Sequence, residues 1–301
     1  MKWLTGLVET LTKRREPTAR ETLEAHLAVL QEQYAAPAAV AGKRQLGVAG
    51  ANQGYRVVVE AGLSRVDVQC TAPDELRVHL RGDAFLLPGA LDSAKRSLLR
   101  DFEMTWTRQE GAFSMVQAIR LPNSAQRSER QARKKQLSQL AARIEVLLTE
   151  LLRHPKGAHY SVAIEKQVPF DNSDFIQAVQ KLVKTSDQKE RRLVYQAFVN
   201  GWFFVPIEPV NEHLQVAPIQ AVDAELGGKF TWTAYSDAEA LKQDKPNVDF
   251  VQASGIRVTQ AAHAAGIAAL KLNPASKIGG EFYGHELETL ANYLKKRGIR
   301  A

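Results

Sequence analysis

Residues 272–280 near the C-terminus, LNPASKIGG, place glycines beside a lysine and a serine, residue types that can cradle a phosphate. A phosphate-binding loop needs a glycine, four further residues and then Gly-Lys-Ser or Gly-Lys-Thr, so that its backbone N–H groups wrap the phosphates. The two Gly-Lys pairs of the chain, at 42–43 and 228–229, are followed by other residue types. Asn-Pro and Gly-Gly instead predict a loop that leaves a buried strand, with Leu270 and Leu272 facing the core, and bends towards the last helix.

The other reactive residue types also lack the partners that known chemistry requires. The stretch HELET begins at His285 like the helix of zinc proteases, but Thr289 stands where the second histidine is needed. Glu286 is therefore expected in the first turn of a surface helix, where the helix dipole favours its charge. Cys70 is the only cysteine, which excludes an internal disulfide, and a buried apolar role is favoured over a nucleophile. No serine stands in a Gly-x-Ser-x-Gly elbow.

The sequence therefore predicts no catalytic residue, no metal site and no cofactor, and a protein that is not an enzyme. An enzyme of unrecognised type stays open as an alternative, because carboxylate pairs that meet only in three dimensions leave no motif.

Basic charge is concentrated at one place in the chain. The formal net charge is +7, and residues 1–155 hold 23 lysines and arginines against 17 aspartates and glutamates. Much of that excess comes from five candidate partner-binding residues, Arg127, Arg130, Arg133, Lys134 and Lys135. They are either the solvated first turns of a long helix or a surface for an acidic protein. Nucleic acid is disfavoured because no aromatic residue interleaves the run.

The elements that would position these residues suggest two α+β domains, since 301 residues exceed what one compact core usually needs. Helical spacing predicts a short helix at 3–11, a helix at 21–34, a short helix at 93–101 and a long helix from Ser124, its N-cap, to about residue 154. Four segments read as strands of an antiparallel sheet with one buried face: YRVVVEA, RVDVQCTA, ELRVHLR and FSMVQAIRLP.

The second half alternates strands and helices around a mixed sheet. Helices are predicted in DFIQAVQKLVK, QKERRLVYQAFVN, DAEALKQ, RVTQAAHAAG and GHELETLANYLKKRG, and strands in GWFFVPIEPV, HLQVAPIQAV, KFTWTAYS, VDFVQA and IAALKLN. Pro155 and Gly157 set the predicted boundaries: an N-terminal domain at 1–155, a linker at 156–172 and a C-terminal domain at 173–301. The single cysteine fits a reducing compartment, and no segment is apolar enough to span a membrane, so we expect a cytoplasmic protein.

The C-terminal half resembles the SseB N-terminal domain family of bacterial proteins. The family's hallmarks are a strand ending in Val-Pro, a Phe-Thr strand that runs into Ser-Asp/Glu-x-Ala-Leu, and a strand ending in Leu-x-Leu-Asn-Pro. Here they correspond in order to Val205-Pro206, Phe230-Thr231, residues 236–241 and residues 270–274. The resemblance covers about residues 173–298 and implies a mixed α/β domain.

The N-terminal half is more faintly similar to TY-Chap domains, which resemble YbjN and type III secretion chaperones. DELRVHL, the segment DFEMTW with Trp106 and the helix from Ser124 follow the order of that group. The resemblance implies a protein-binding module, chaperone- or adaptor-like, in bacterial secretion or toxin-conflict systems, whose partner is an effector, a toxin or a secretion component. The alternative is an immunity-type protein that inhibits a cognate toxin, with residues 127–135 meeting an acidic toxin surface.

Overall fold

The computed structural model describes residues 17–35, 55–72, 74–87, 89–108, 110–119, 127–166, 171–208, 216–276 and 278–299. Within these ranges the fold is α+β, as the hydrophobic patterns predict. The N-terminal half forms an antiparallel sheet with helices, and the C-terminal half alternates strands and helices around a sheet with a parallel pair.

The N-terminal sheet has six strands in the order β4-β5-β3-β2-β1-β6. They are β1 (Tyr55–Ala61), β2 (Ser64–Ala72), β3 (Glu75–Arg81), β4 (Thr105–Thr107), β5 (Ala112–Ala118) and β6 (Ser161–Lys166). Alternate side chains such as Val57 and Val59 enter the core. Gly62, with a φ of +65°, begins the two-residue turn between β1 and β2, which matches the type II′ geometry that fits strand twist.

Among the described residues, three α-helices accompany this sheet: α1 (Ala19–Ala35), α2 (Ser93–Asp101) and α3 (Arg127–Val146), which continues into a π turn at Leu147–Leu151. Helix α1 packs against α3 and against β1, β2 and β6. Leu23, Leu27 and Leu30 recur at steps of four and three residues and are fully buried. The predicted helix at 3–11 and the predicted cap Ser124 lie outside the described residues.

The C-terminal half contains five helices and six strands among the described residues. They are α4 (Ser173–Thr185), α5 (Gln188–Asn200), β7 (Trp202–Ile207), β8 (Ala221–Asp223), β9 (Lys229–Ala234), α6 (Ala238–Asp244), β10 (Asp249–Ser254), α7 (Gly255–Ala264), β11 (Ala269–Leu272), β12 (Gly280–Tyr283) and α8 (Gly284–Lys296). One sheet has the order β12-β11-β9-β8, with β11 parallel to β9, and β7 pairs with β10. A bridge between Phe204 and Tyr235 connects the two groups.

Two segments differ from the predicted elements in this half. Strand β12 is an addition, because its four residues, GEFY, are too short to show a period. The predicted strand HLQVAPIQAV lies partly outside the described residues, and its described part forms only a bridge at Pro218 and the first two residues of β8.

Strand β6 lies inside the segment 156–172 that was predicted as a linker. Its six residues pair antiparallel with β1, from Ser161 opposite Glu60 to Lys166 opposite Tyr55. Because the backbone groups of β1 need partners on both sides, this pairing extends the N-terminal sheet to residue 166. The predicted linker is correct at most for its remaining residues, and the division into domains at 1–155 and 173–301 stays a prediction.

The two halves meet where the turn between β4 and β5 contacts β10. Gly111 has a φ of +59°, and a Cβ there would lie 2.5 Å from the carbonyl oxygen of Phe250. A Cβ on Gly82 would lie 2.5 Å from Cγ1 of Val251. Arg108 adds an ion pair to the buried Asp249. Two glycines thus allow the backbone of one half to approach β10 directly.

Buried apolar side chains from both halves form one connected cluster. Asp83 and Arg257 are both buried beside this cluster. Burial raises the pKa of Asp83, and the positive charges of Arg81 and Arg257 oppose this shift. Burial lowers the pKa of Arg257, and the negative charge of Asp83 opposes that shift. Each charge therefore offsets part of the desolvation of the other.

Candidate partner-binding surface

The basic residues predicted to bind a partner lie in the first half of α3. Arg127, Arg130, Lys134 and Lys135 are exposed and form no ion pair with any described residue. Arg127, Arg130 and Lys134 are spaced three and four residues apart and share one side of the helix, whereas Lys135 lies on another. We call these four residues the basic face.

Arg133 has a different role from its neighbours. Its guanidinium donates to Oε1 of Gln31 at 3.1 Å and to the carbonyl oxygen of Ala28 at 3.0 Å, and it lies 2.8 Å from a carboxylate oxygen of Glu32. The arginine side chain is only 13% exposed. Arg133 therefore connects α3 to α1 and orients the basic face.

A groove of about 360 Å³ runs between α1 and α3 beside this face. Its lining includes Ala25, Ala28 and Leu137 together with Arg130 and Lys134 from α3 and Glu21 and Glu24 from α1. The two acidic residues already have partners, because Glu24 pairs with Arg20 at 3.4 Å and Glu21 accepts a hydrogen bond from the Thr18 N–H. Arg130 and Lys134 therefore bring positive charge without an ion-pair partner among the described residues to the α3 side of the groove, while Glu21 keeps its negative charge on the α1 side.

The face of the N-terminal sheet turned away from α1 and α3 is polar, and much of it is buried. Asp67 is 4% exposed and lies 2.6 Å from Arg65, 3.3 Å from Arg56 and 3.7 Å from Arg81. Glu165 pairs with Arg65 across β1 at 2.9 Å. The sequence predicted that only one face of this sheet is buried. Much of the second face is buried as well, and its charged side chains pair with one another.

A histidine, a glutamate and a serine also meet on this second face. Nδ1 of His79 lies 2.8 Å from Glu110, whose pKa is lowered chiefly by this hydrogen bond, and Ser114 stands opposite His79 in the pairing of β3 with β5. The Ser114 hydroxyl, however, bonds to the hydroxyl of Thr107 at 2.8 Å. A serine nucleophile must form a hydrogen bond with the histidine that acts as its base. Ser114, His79 and Glu110 are therefore not arranged for acyl transfer. The three residues come from separate elements, so the sequence carried no signal of their meeting.

Cys70 and Glu286 lie where their motifs predict, but Glu286 is more enclosed than expected. Burial raises the pKa of Cys70 to about 11, which fits an inert side chain. The carboxylate of Glu286 is only 9% exposed and accepts hydrogen bonds from Arg191, the Tyr195 hydroxyl and the Tyr283 N–H. Burial raises the pKa of Glu286, but these hydrogen bonds outweigh it and the net shift is downward.

The strand ends of the C-terminal half are joined by two buried asparagines. Asn172 donates to the carbonyl oxygens of Trp202 and Ser236 and accepts from the Trp202 N–H at 3.1 Å. Asn273, with a φ of +48°, accepts from the Ser236 N–H at 2.9 Å and donates to the Ser236 hydroxyl at 3.0 Å and to the carbonyl oxygen of Ile278. Ser236 thus lies between two asparagine side chains that fix the ends of β7, β9 and β11.

The segment LNPASKIGG forms the end of β11 and the turn that follows it. Leu270 and Leu272 are buried, as predicted, and Asn273 is the residue in the left-handed region. Gly279 has no positive φ, but a Cβ there would lie 2.6 Å from the carbonyl oxygen of Leu272. The stretch therefore closes a strand end by close backbone approach. Lys277 lies outside the described residues.

The strand and turn residues just described fall within one family pattern. Residues 176–289 match the family model of the SseB protein N-terminal domain. The predicted resemblance of the C-terminal half is thereby confirmed, and the name SseB domain is used below only as a label for the matching residues 176–289, which are less than half of the chain. It runs from α4 into α8 and includes Ser236 and Asn273, while Asn172 precedes it.

The match to the SseB domain family is the one similarity to known proteins that we report. Neither the curated proteins nor the solved structures include a match to the chain. The similarity of the N-terminal half to TY-Chap domains stays a prediction. The described part of the chain has no group of three or more histidine, cysteine, aspartate or glutamate residues placed to hold a metal ion. No helix among the described residues combines the length and hydropathy of a membrane span.

Proposed function

We propose that the protein is a non-enzymatic, chaperone- or adaptor-like binding module that acts in the cytoplasm and contacts an acidic protein through the basic face of α3. The observation that carries the proposal is the contrast within one helix. Arg133 is consumed by three contacts to α1, whereas the four residues of the basic face project from the helix without an ion-pair partner in the described chain.

Charge supports a protein partner with an acidic surface. Basic groups on a rigid helix, of which Arg127, Arg130 and Lys134 share one side here, raise the association rate of such a partner and fix its orientation, an effect that falls with ionic strength. The adjoining groove offers Ala25, Ala28 and Leu137 for apolar contact next to these charges. A secretion or toxin-conflict setting follows only from the family resemblance and belongs to the same proposal.

The test is a quantitative affinity purification from the native host with three tagged forms of the full chain. One is the wild type, one carries Arg127→Glu, Arg130→Glu and Lys134→Glu, and the matched control reverses three exposed lysines of the SseB domain and its flank, Lys184, Lys242 and Lys296. We expect a specific protein that the wild type and the control retain and the α3 variant loses. Equal recovery by all three forms would refute the role of the basic face.

An immunity-type inhibitor would use the same charges against an acidic toxin surface. Co-expression with the toxin encoded beside the gene separates the two readings. Protection of the cells that is lost in the α3 variant would favour inhibition, and killing despite folded wild-type protein would exclude it.

A further inference from the structure

Helices α4 and α5 form a second groove, on the SseB domain. The two helices run antiparallel. The groove between them has a volume of about 450 Å³, and its lining includes Asp171, which precedes α4. Phe175 and Ala178 of α4 form its buried floor, at 2% and 9% exposure, and Leu193 and Ala197 of α5 line it at the four-residue spacing of a helix face. Leu193 is 41% exposed, so the structure leaves apolar surface open at this position.

The charged residues around this lining are mostly acidic. The described lining contains the carboxylates of Asp171, Asp174 and Glu190 and a single ammonium, that of Lys181. The groove therefore has the opposite sign to the basic face of α3, and a ligand that suits one surface is repelled by the other.

Glu190 supplies the specific feature of the groove. The residue is 6% exposed, and its Oε1 lies 2.9 Å from Nζ of Lys181. Its second carboxylate oxygen, Oε2, is buried and accepts no hydrogen bond from the described residues. A buried charged oxygen without a donor is unfavourable, but it is closed to solvent, so a ligand cation would reach this carboxylate by replacing the exposed ammonium of Lys181.

We propose that this groove binds an amphipathic helix of another protein that carries lysine or arginine beside its apolar face. A trough between two helices with an exposed leucine is the shape that accepts a third helix, with side chains at positions i, i+3, i+4 and i+7 entering it. The three carboxylates select basic residues at the edges of that helix, and a ligand cation that replaces Lys181 at Glu190 makes the charge-assisted contact that fixes its register. This site is independent of the basic face of α3 and goes beyond the function proposed for it.

The direct test uses the full chain and synthetic peptides of about five helical turns, labelled with a fluorophore. The first peptide has leucine at the i, i+3, i+4 and i+7 positions and lysine beside them, the second has glutamate in place of lysine, and the third is a scrambled form of the first. Fluorescence anisotropy measures binding at low and high salt. We expect the basic amphipathic peptide to bind more tightly than the other two, with an affinity that falls as salt rises.

Matched variants locate the binding to the groove. Glu190→Gln and Leu193→Ser should each lower the affinity for the basic peptide. For Glu190→Gln, which removes the charged hydrogen bond, we expect a loss of about tenfold. Val183→Ser removes an exposed apolar side chain from the opposite side of the same two helices, and Glu288→Gln neutralises an exposed carboxylate on α8, so both should bind as the wild type does. The triple variant of the basic face should also bind normally, which separates this site from the proposed function.

Several outcomes would overturn the proposal. Equal binding of the acidic or the scrambled peptide would show that charge and amphipathic register are not recognised. Unchanged binding by both Glu190→Gln and Leu193→Ser, with unfolding midpoints close to the wild type, would place the peptide elsewhere. Self-association of the chain in sedimentation that Leu193→Ser abolishes would make a second copy the occupant instead.

Discussion

Replacing Gly111 with alanine tests the contact between the two halves of the protein. The new Cβ would lie 2.5 Å from the carbonyl oxygen of Phe250 and 3.1 Å from Cα of Val251, which are backbone atoms of a paired strand and cannot rotate away. The substitution also places alanine at a φ of +59°. The left-handed backbone costs an L-residue about 1–2 kcal/mol, and overpacking costs about 1–3 kcal/mol. We therefore expect Gly111→Ala to reduce the free energy of unfolding by about 2–5 kcal/mol.

Gly62 provides the control that separates these two costs. Its φ is +65°, and a Cβ there would meet nothing within 4 Å. Gly62→Ala should thus lose only the backbone contribution of about 1–2 kcal/mol. Urea unfolding followed by circular dichroism gives both values, and comparison of the slopes checks that the unfolding transition is unchanged. If the two variants lose equal stability, the close contact of the β4–β5 turn with β10 is refuted.

Three further experiments test individual side chains. Arg133→Ala should cost about 1–3 kcal/mol in urea unfolding because it removes three contacts to α1, whereas Lys135→Ala, at an exposed position, should stay within about 0.5 kcal/mol of wild type; equal losses would contradict the division of α3. The folded pKa of Glu286 is lowered, so its contribution is present above the unfolded pKa and is lost as pH falls through the folded pKa; the stability gap between wild type and Glu286→Gln should therefore be larger at pH 7 than at pH 3, and a constant gap would refute the assignment. Cys70, with a pKa of about 11, should react with iodoacetamide at pH 8 about 100-fold or more slowly than a free thiol, and rapid alkylation of the folded protein would show that the thiol is neither buried nor perturbed.

The sequence determined much of the secondary structure because periodic burial shows directly in residue types. The segments at 65–72 and 75–81 alternate apolar and polar residues, the segment at 55–61 is rich in valine, and the leucines of α1 and α3 repeat at helical steps. Strands β4, β6 and β12 escaped prediction because their three, six and four residues form strands only through pairing with β5, β1 and β11. The SseB motifs marked buried strand ends, which explains why they identify a fold and name no reaction.

Tertiary structure decided which charges are free and which glycines carry contacts. Five basic residues within nine positions look equivalent in sequence, but only packing of α1 against α3 assigns Arg133 to Gln31 and Glu32. Gly111 lies in an ordinary turn. Only the close approach of β10, about 140 residues away along the chain, leaves no room for a Cβ at this position. Burial of Glu190 likewise depends on the pairing of two helices. Local patterns report how a segment buries itself, whereas charge balance and close approach depend on neighbours that the chain brings together only when folded.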